Sequence, residues 1–288
     1  MSRATQLFLN DTRVVAAGTT LPFSVEIPAG GFGRLLTSTR RLRPESDRIK
    51  ISNVEILPLR FSRSVKILDG TPNIKEWCGR GRAPRVFPVK EITEDDSEIV
   101  FEITNEDSDS IEVSVTHVLE LLDVAEGVPA KDPEGNAKII NVTKTLAAAA
   151  EDNFVFVIPS GNIGKWKDIT GFLRDTVTQE TGELDVTVKN IAVIFEGETQ
   201  KTSILTETMD FHELVGDAEL TRLVEVLTKL RSNSELVVRI RNDEANPVEV
   251  STTMWFANAP VALEGRRLQT EEEIEAAAHQ QERGMGRR

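Results

Sequence analysis

SEIVFEITNEDSDSIEVSVTH, Ser97 to His117, is answered without a gap by SELVVRIRNDEANPVEVSTTM, Ser234 to Met254. Ser97/Ser234, Glu98/Glu235, Val100/Val237, Ile103/Ile240, Asn105/Asn242, Glu112/Glu249, Val113/Val250, Ser114/Ser251 and Thr116/Thr253 are identical pairs. At the same offset of 137, KISNVEI (Lys50 to Ile56) faces TVKNIAV (Thr187 to Val193), sharing Asn53 and Asn190. FSVEIPAGGFG (Phe23 to Gly33) faces FVFVIPSGNIG (Phe154 to Gly164) at an offset of 131. Three blocks in one order at nearly one offset are an internal duplication, each copy long enough for a domain.

The repeated blocks alternate in polarity with β-branched residues on one face, as in Ile99–Ile103 and Ile111–Val115, which predicts strands. Between them lie the polar turns Asn105–Ser110 and Asn242–Pro247, so each copy is expected to end in a β-hairpin. Each copy also opens with a strand stopped by Pro28 or Pro159, which cannot donate to a ladder. The predicted fold is all-β: two tandem antiparallel sandwiches of jelly-roll type. In the second copy, Leu220, Leu223, Val224, Leu227 and Leu230 stand at helical spacing after Asp217, predicting a short helix over Asp217–Arg231. The matching CGRGRAPRVFPVKE carries Pro84 and Pro88 and excludes one. The expected layout is an N-terminal arm (1–20), a first domain (21–123), a connector partly docked as a strand (124–153), a second domain (154–262) and a C-terminal helical arm (263–288) with a capping-box start at Thr270 and Glu273.

Composition bounds the function. At 39% hydrophobic and 28% charged, the 288 residues are globular rather than disordered. The opening MSRATQLFLNDTR lacks the apolar core of a secretion signal, and no apolar run reaches membrane-spanning length. The lone Cys78 excludes an internal disulfide and suits a reducing cytoplasm. Net charge is -13, but residues 1–90 carry 16 Lys+Arg against 7 Asp+Glu, and the rest 18 against 40. Such a division suits head-to-tail contacts between copies or an ordinary solvated surface.

Catalytic patterns are scarce. His117 stands where the second copy has Met254, a packing position, and His279 lies in the polar tail. His212 in MDFHELVGD has acidic neighbours, with no second His or Cys at metal-ligand spacing. Cys78 has Arg80 and Arg82 nearby to lower a thiol pKa, but no base to pair with, and reads as buried beside Trp77. Gly30, Gly31 and Gly33 lack the Lys-Ser/Thr of a phosphate loop. The basic run around Arg40, Arg41 and Arg43 is mixed with Glu and lacks stacking aromatics, which favours a protein interface over nucleic acid. No catalytic, cofactor or metal site is expected, so the chain reads as a non-enzyme.

The layout resembles the double jelly-roll major capsid proteins of icosahedral viruses, the lineage of adenovirus hexon and small tailless bacteriophages. LFLNDTRVVAAGTTLPFSVEIPAGG followed by KISNVEI resembles the start of corticovirus-like coat proteins. The resemblance implies a virion protein made in the host cytoplasm, with homotrimers as pseudo-hexagonal capsomers. Its partners would be neighbouring capsomers, other virion proteins, and an internal membrane or genome reached by an arm, with no small-molecule substrate or cofactor. The expected interface residues are Arg40, Arg41, Arg43, Arg80, Arg82 and Arg85, with Thr270, Glu273, Arg287 and Arg288 in the arm. Alternatives are a minor, decoration or tail-adaptor protein that binds a preformed lattice, and a carbohydrate-binding or cupin-like enzyme module.

Overall fold

The computed structural model describes residues 5–27, 32–57, 64–80, 85–87, 92–93, 97–122, 136–160, 162–182, 184–195, 201–205, 207–217, 220–223 and 229–260. In chain order the first half contains β1 (Thr5–Val15), β2 (Thr20–Glu26), β3 (Phe32–Arg43), β4 (Ile49–Leu57), β5 (Val65–Lys66), β6 (Leu68–Asp69), α1 (Ile74–Trp77), β7 (Gly79–Arg80), β8 (Arg85–Val86), β9 (Ile92–Thr93), β10 (Glu98–Asn105) and β11 (Ile111–Leu122). The second contains β12 (Asn136–Leu146), β13 (Glu151–Val157), β14 (Asn162–Asp175), β15 (Val186–Ile194), β16 (Lys201–Ser203), β17 (Met209–Asp210), α2 (Phe211–Val215), β18 (Gly216–Asp217), β19 (Leu220–Leu223), β20 (Lys229–Leu230), β21 (Glu235–Asn242) and β22 (Val248–Pro260).

The long strands alternate between two facing sheets. In the first half β1-β11-β3, with β7, β8 and β9 on the β3 edge, faces β2-β10-β4-β5. In the second half β12-β22-β14, with β19 and β20 on the β14 edge, faces β13-β21-β15-β16. β1 to β4 alternate between the two sheets, as do β12 to β15; β10 then returns beside β4 and β21 beside β15, and the last long strand crosses over to pair with the first, which is jelly-roll winding. The chain is a double jelly roll.

Strand order overturns the hairpin expectation. β10 and β11 lie in opposite sheets, as do β21 and β22, so each polar turn crosses the sandwich. Alternation says that a strand is half-buried but not which strand it pairs with. The identity of Asn105 and Asn242 now has a cause. Asn105 Nδ2 donates to the carbonyls of Val15 (3.0 Å) and Asp109 (2.8 Å), while its Oδ1 accepts from Asp107 N (2.9 Å). Asn242 repeats this with Leu146 (3.1 Å), Asn246 (2.9 Å) and Glu244 N (2.9 Å). Each side chain ties the corner to the end of its first strand.

Three other expectations change. The arm expected over 1–20 contains β1, paired along its whole length with β11 from Thr5↔Leu121 to Val15↔Ile111. Its inward Val15 and Leu9 join the core, which repays the ordering of the chain end. The connector expected over 124–153 contains β12 and the start of β13, so the second sandwich begins by Asn136. The helix expected over Asp217–Arg231 is overridden where the chain is described: β19 and β20 pair with β14 at Ile169↔Arg222 and Gly164↔Leu230. The open edge of β14 offers ladder partners that outweigh a weak helical preference. The second sandwich's short helix is α2 instead. The C-terminal arm lies outside the described residues.

Among the described residues two hydrophobic clusters form the core. One lies within the second sandwich around Phe154, Phe156, Trp166, Phe211 and Phe256. The other fills the first sandwich and runs on into Ala137, Ile139, Trp255 and Ala257, on the outward face of the second sandwich's β12-β22 sheet. The two halves therefore share a buried seam.

Candidate assembly interface

The seam is built by the segment between β4 and β10 of the first sandwich, laid on the outer face of β12 and β22. β6 runs parallel to β12, with Ile139↔Leu68 and Ile140↔Asp69 paired. Gly70 follows with φ +100; a Cβ there would stand 2.5 Å from the Asn141 carbonyl oxygen, so the close approach requires glycine. Next comes α1, opened by a capping box in which Asn73 Oδ1 accepts from Lys75 N (3.0 Å) and Asn73 N donates to Glu76 (3.0 Å). Trp77 stacks on Trp255 of the second sandwich at 5.5 Å between centroids, and Phe87 closes on both rings at 5.2 Å.

In this apolar setting Glu76 is fully buried. Its carboxyl accepts hydrogen bonds from Ser251 Oγ (2.6 Å) and Thr253 Oγ1 (2.8 Å), both on β22. Burial pushes its pKa up to about 7, against those hydroxyls, the Asn73 N–H and the Arg85 guanidinium. The hydroxyls are held by a ladder on the same face. Asn141 Nδ2 donates to Ser251 Oγ (2.8 Å) and Thr253 Oγ1 (2.9 Å), and Thr143 Oγ1 donates to Asn141 Oδ1 (3.0 Å) and Ser251 Oγ (3.0 Å). Burial also pushes the Asp168 carboxyl up to about 7, opposed by the Ile169 N–H and by Arg85. Around the rim, Arg174 pairs with Glu249 (2.9 Å) and approaches Glu106 of the first sandwich (4.0 Å), while Lys50 pairs with Glu106 (2.9 Å) and reaches Glu249 (3.8 Å).

The expected interface arginines separate into two groups. Arg40 and Arg85 are buried, only 5% and 3% exposed, so the expectation that they form contacts between copies is corrected. Arg40 Nη1 donates to the Cys78 carbonyl (2.6 Å), and Arg85 Nη2 donates to that of Lys75 (3.0 Å). A guanidinium carries enough donors to satisfy several carbonyls, so both serve to pin the α1 segment in place. Arg41 and Arg43 are exposed on β3, paired with Ser114 and Glu112 of β11. Arg80 lies in β7 beside Arg40 of β3. Arg82, Thr270, Glu273, Arg287 and Arg288 lie outside the described residues.

The thiol of Cys78 is buried and bonded to Ser38 Oγ at 2.9 Å; burial pushes its pKa up to about 12, so it stays protonated and unreactive. His117 packs edge-on against Phe101 at 5.5 Å, and burial pulls its pKa down to about 4. His212 is half-buried, with Nε2 2.9 Å from the Gly182 carbonyl. Among the described residues no group of three or more His, Cys, Asp or Glu could hold a metal. A broad groove of about 680 Å³ lies against the outer face of β13, β21 and β15, lined by Glu151, Lys189, Asn190, Ser203, Arg239 and Arg241 among others.

No protein-family model matches the chain, and no curated protein does. Solved structures similar to it include the STIV MCP, 13% identical over 87% of this chain and 96% of that one, with a TM-score of 0.44. The major capsid protein P2 of bacteriophage PM2 is 14% identical over 89% and 99%, with a TM-score of 0.36. PNGase F, a glycosylasparaginase from Flavobacterium meningosepticum, is 12% identical over 88% and 96%, with a TM-score of 0.40.

The sequence reading missed Glu76, Trp255 and the Asn141 ladder. A usable signal was present: ILDGTPNIKEWCG (67–79) faces ILTETMDFHELVG (204–216) at the same offset of 137, matching Ile67/Ile204, Leu68/Leu205, Thr71/Thr208, Glu76/Glu213 and Gly79/Gly216. β1 and β12 match at 131, with Asn10/Asn141 and Thr12/Thr143 identical.

Proposed function

We propose that the chain is a structural virion subunit, a major capsid protein whose copies join as trimers into pseudo-hexagonal capsomers of an icosahedral shell. The observation that carries this reading is the seam. Two duplicated sandwiches are joined by a buried contact that uses two different faces of the repeated unit, so one copy of each face stays exposed among the described residues. Heterologous contacts of this kind close into rings when the rotation permits. Three such blocks supply six similar walls. The basic first 90 residues and the acidic remainder would place opposite charge at contacts between blocks. Its partners in this reading are its own copies, neighbouring capsomers and other virion proteins, and its place is the virion after synthesis in the host cytoplasm. It has no catalytic role.

Light scattering on the purified chain at low and high salt tests this. The expected result is a trimer near three times 31.9 kDa, with larger assemblies that respond to salt. A monomer under all conditions would overturn it and favour a protein that only decorates a preformed lattice.

A further inference from the structure

The first sandwich carries an unused copy of the ladder that grips Glu76. Asn10 Nδ2 donates to Ser114 Oγ (2.8 Å) and Thr116 Oγ1 (2.9 Å), and Thr12 Oγ1 donates to Asn10 Oδ1 (2.9 Å) and Ser114 Oγ (2.9 Å). Each of these bonds has its counterpart around Asn141 and Thr143, where the two hydroxyls go on to hold a buried carboxylate. Here Asn10 and Thr12 are exposed, and among the described residues no carboxylate accepts from the Ser114 or Thr116 hydroxyl. Beside them Phe8 is 66% exposed, while its counterpart Ile139 is fully buried in the seam. Among the described residues β1 is moreover an edge strand, whereas the matching side of β12 is covered by β6.

The complementary half is equally unused. Glu213 occupies the position of Glu76 in α2, behind Asp210, whose Oδ1 accepts from His212 N (2.8 Å) as Asn73 accepts from Lys75 N (3.0 Å). Glu213 is exposed, and Ile204, the counterpart of the buried Ile67, is 39% exposed.

We propose that Glu213 and Ile204 of one copy dock on the Asn10–Ser114–Thr116 ladder and Phe8 of the next, repeating between copies the contact that joins the two sandwiches within a copy. This rests on the reading of the chain as a self-assembling subunit and names the surface by which it assembles. Glu213 accepts from the Ser114 and Thr116 hydroxyls, and Ile204 covers Phe8. Arg43, the counterpart of rim-forming Arg174, lies on the same outer face. Glu207 stands where Gly70 does, so the strand bridge beside Gly70 is not carried over at that residue.

Two single variants of the full chain, Thr116→Cys and Glu213→Cys, are mixed under mild oxidation. A disulfide-linked band at twice the chain mass is expected in the mixture. It should be absent from either variant alone and from Glu213→Cys mixed with Val157→Cys, an exposed position on the opposite sheet. In parallel, Phe8→Glu is expected to lose association while its unfolding midpoint is unchanged. Loss of association in Glu213→Cys itself, with the unsubstituted chain still associated, supports the contact too. An oligomer that persists in every variant without the mixed crosslink would overturn this contact and leave the shell reading standing. An unsubstituted chain that is monomeric at every concentration and salt would remove both.

Discussion

The two sandwiches share a winding, a corner asparagine and a Ser-x-Thr ladder, yet they use the ladder differently. In the second it lies under Glu76 and two tryptophans; in the first it faces solvent beside an exposed phenylalanine. The same hydroxyls are thus structural in one copy and available in the other. Duplication with fusion produces this asymmetry directly, because joining two similar units through unlike faces buries one such pair and leaves the other pair exposed.

The largest expected difference is at Trp255 and its counterpart Val118. Trp255→Ala should cost about 3–5 kcal/mol, since it empties the stacked seam. Val118→Ala, on a half-buried surface, should stay within about 1 kcal/mol. Denaturant melts of the two variants compare them, and equal losses would mean that the seam is not a stabilising contact.

The two glutamates come next. Glu76→Ala leaves two buried hydroxyls without their acceptor and should cost about 2–4 kcal/mol. Glu213→Ala should leave the stability of the single chain within about 0.5 kcal/mol, its effect appearing only in association. Urea unfolding checks the first, and sedimentation at several concentrations checks the second.

Acidity should act on the two regions with opposite sign. Glu76 has a folded pKa near 7, above its ordinary 4.5, so the folded state holds its proton longer. Its contribution is fully present below about 4.5 and is lost as pH rises through 7, a change of order 1–3 kcal/mol. Asp168 adds a change of the same sign. His117, depressed to about 4, does the reverse: stability is present above 6.5 and is lost as pH falls toward 4. Melting curves across this range should show Glu76→Gln flattening the alkaline limb and His117→Met, the residue at the matching second-copy position, flattening the acid limb.

The smallest contrast concerns the ladder asparagines. Asn141→Ala, at a position only 8% exposed, should cost about 1–3 kcal/mol. Asn10→Ala, in solvent, should cost less than about 1 kcal/mol. A thermal scan of each variant decides.

Much of this was legible in the residues. Strand character in Ile99–Ile103 and Ile111–Val115 follows from local alternation, and the repeat itself is visible as matched letters. Burial of Cys78 and His117 was readable from their neighbours and from Met254 at the matching position. Strand pairing was not, because β10 meets β2 and β4 rather than the β11 that follows it in the chain. Arg40 and Arg85 look like surface charge in a basic run, and only the folded chain encloses them.

By itself, the sequence determined that there are two copies, that each is made of half-buried strands, and that their corners are polar. Those properties are local, written in alternation, turn chemistry and repetition. The tertiary structure alone decided which face of each copy is covered. The ladder positions, Asn-x-Thr and Ser-x-Thr, are the same in both halves, and their role depends on whether a distant carboxylate and tryptophan are brought onto them. That is a matter of which surfaces the fusion allows to meet, and no local pattern encodes it.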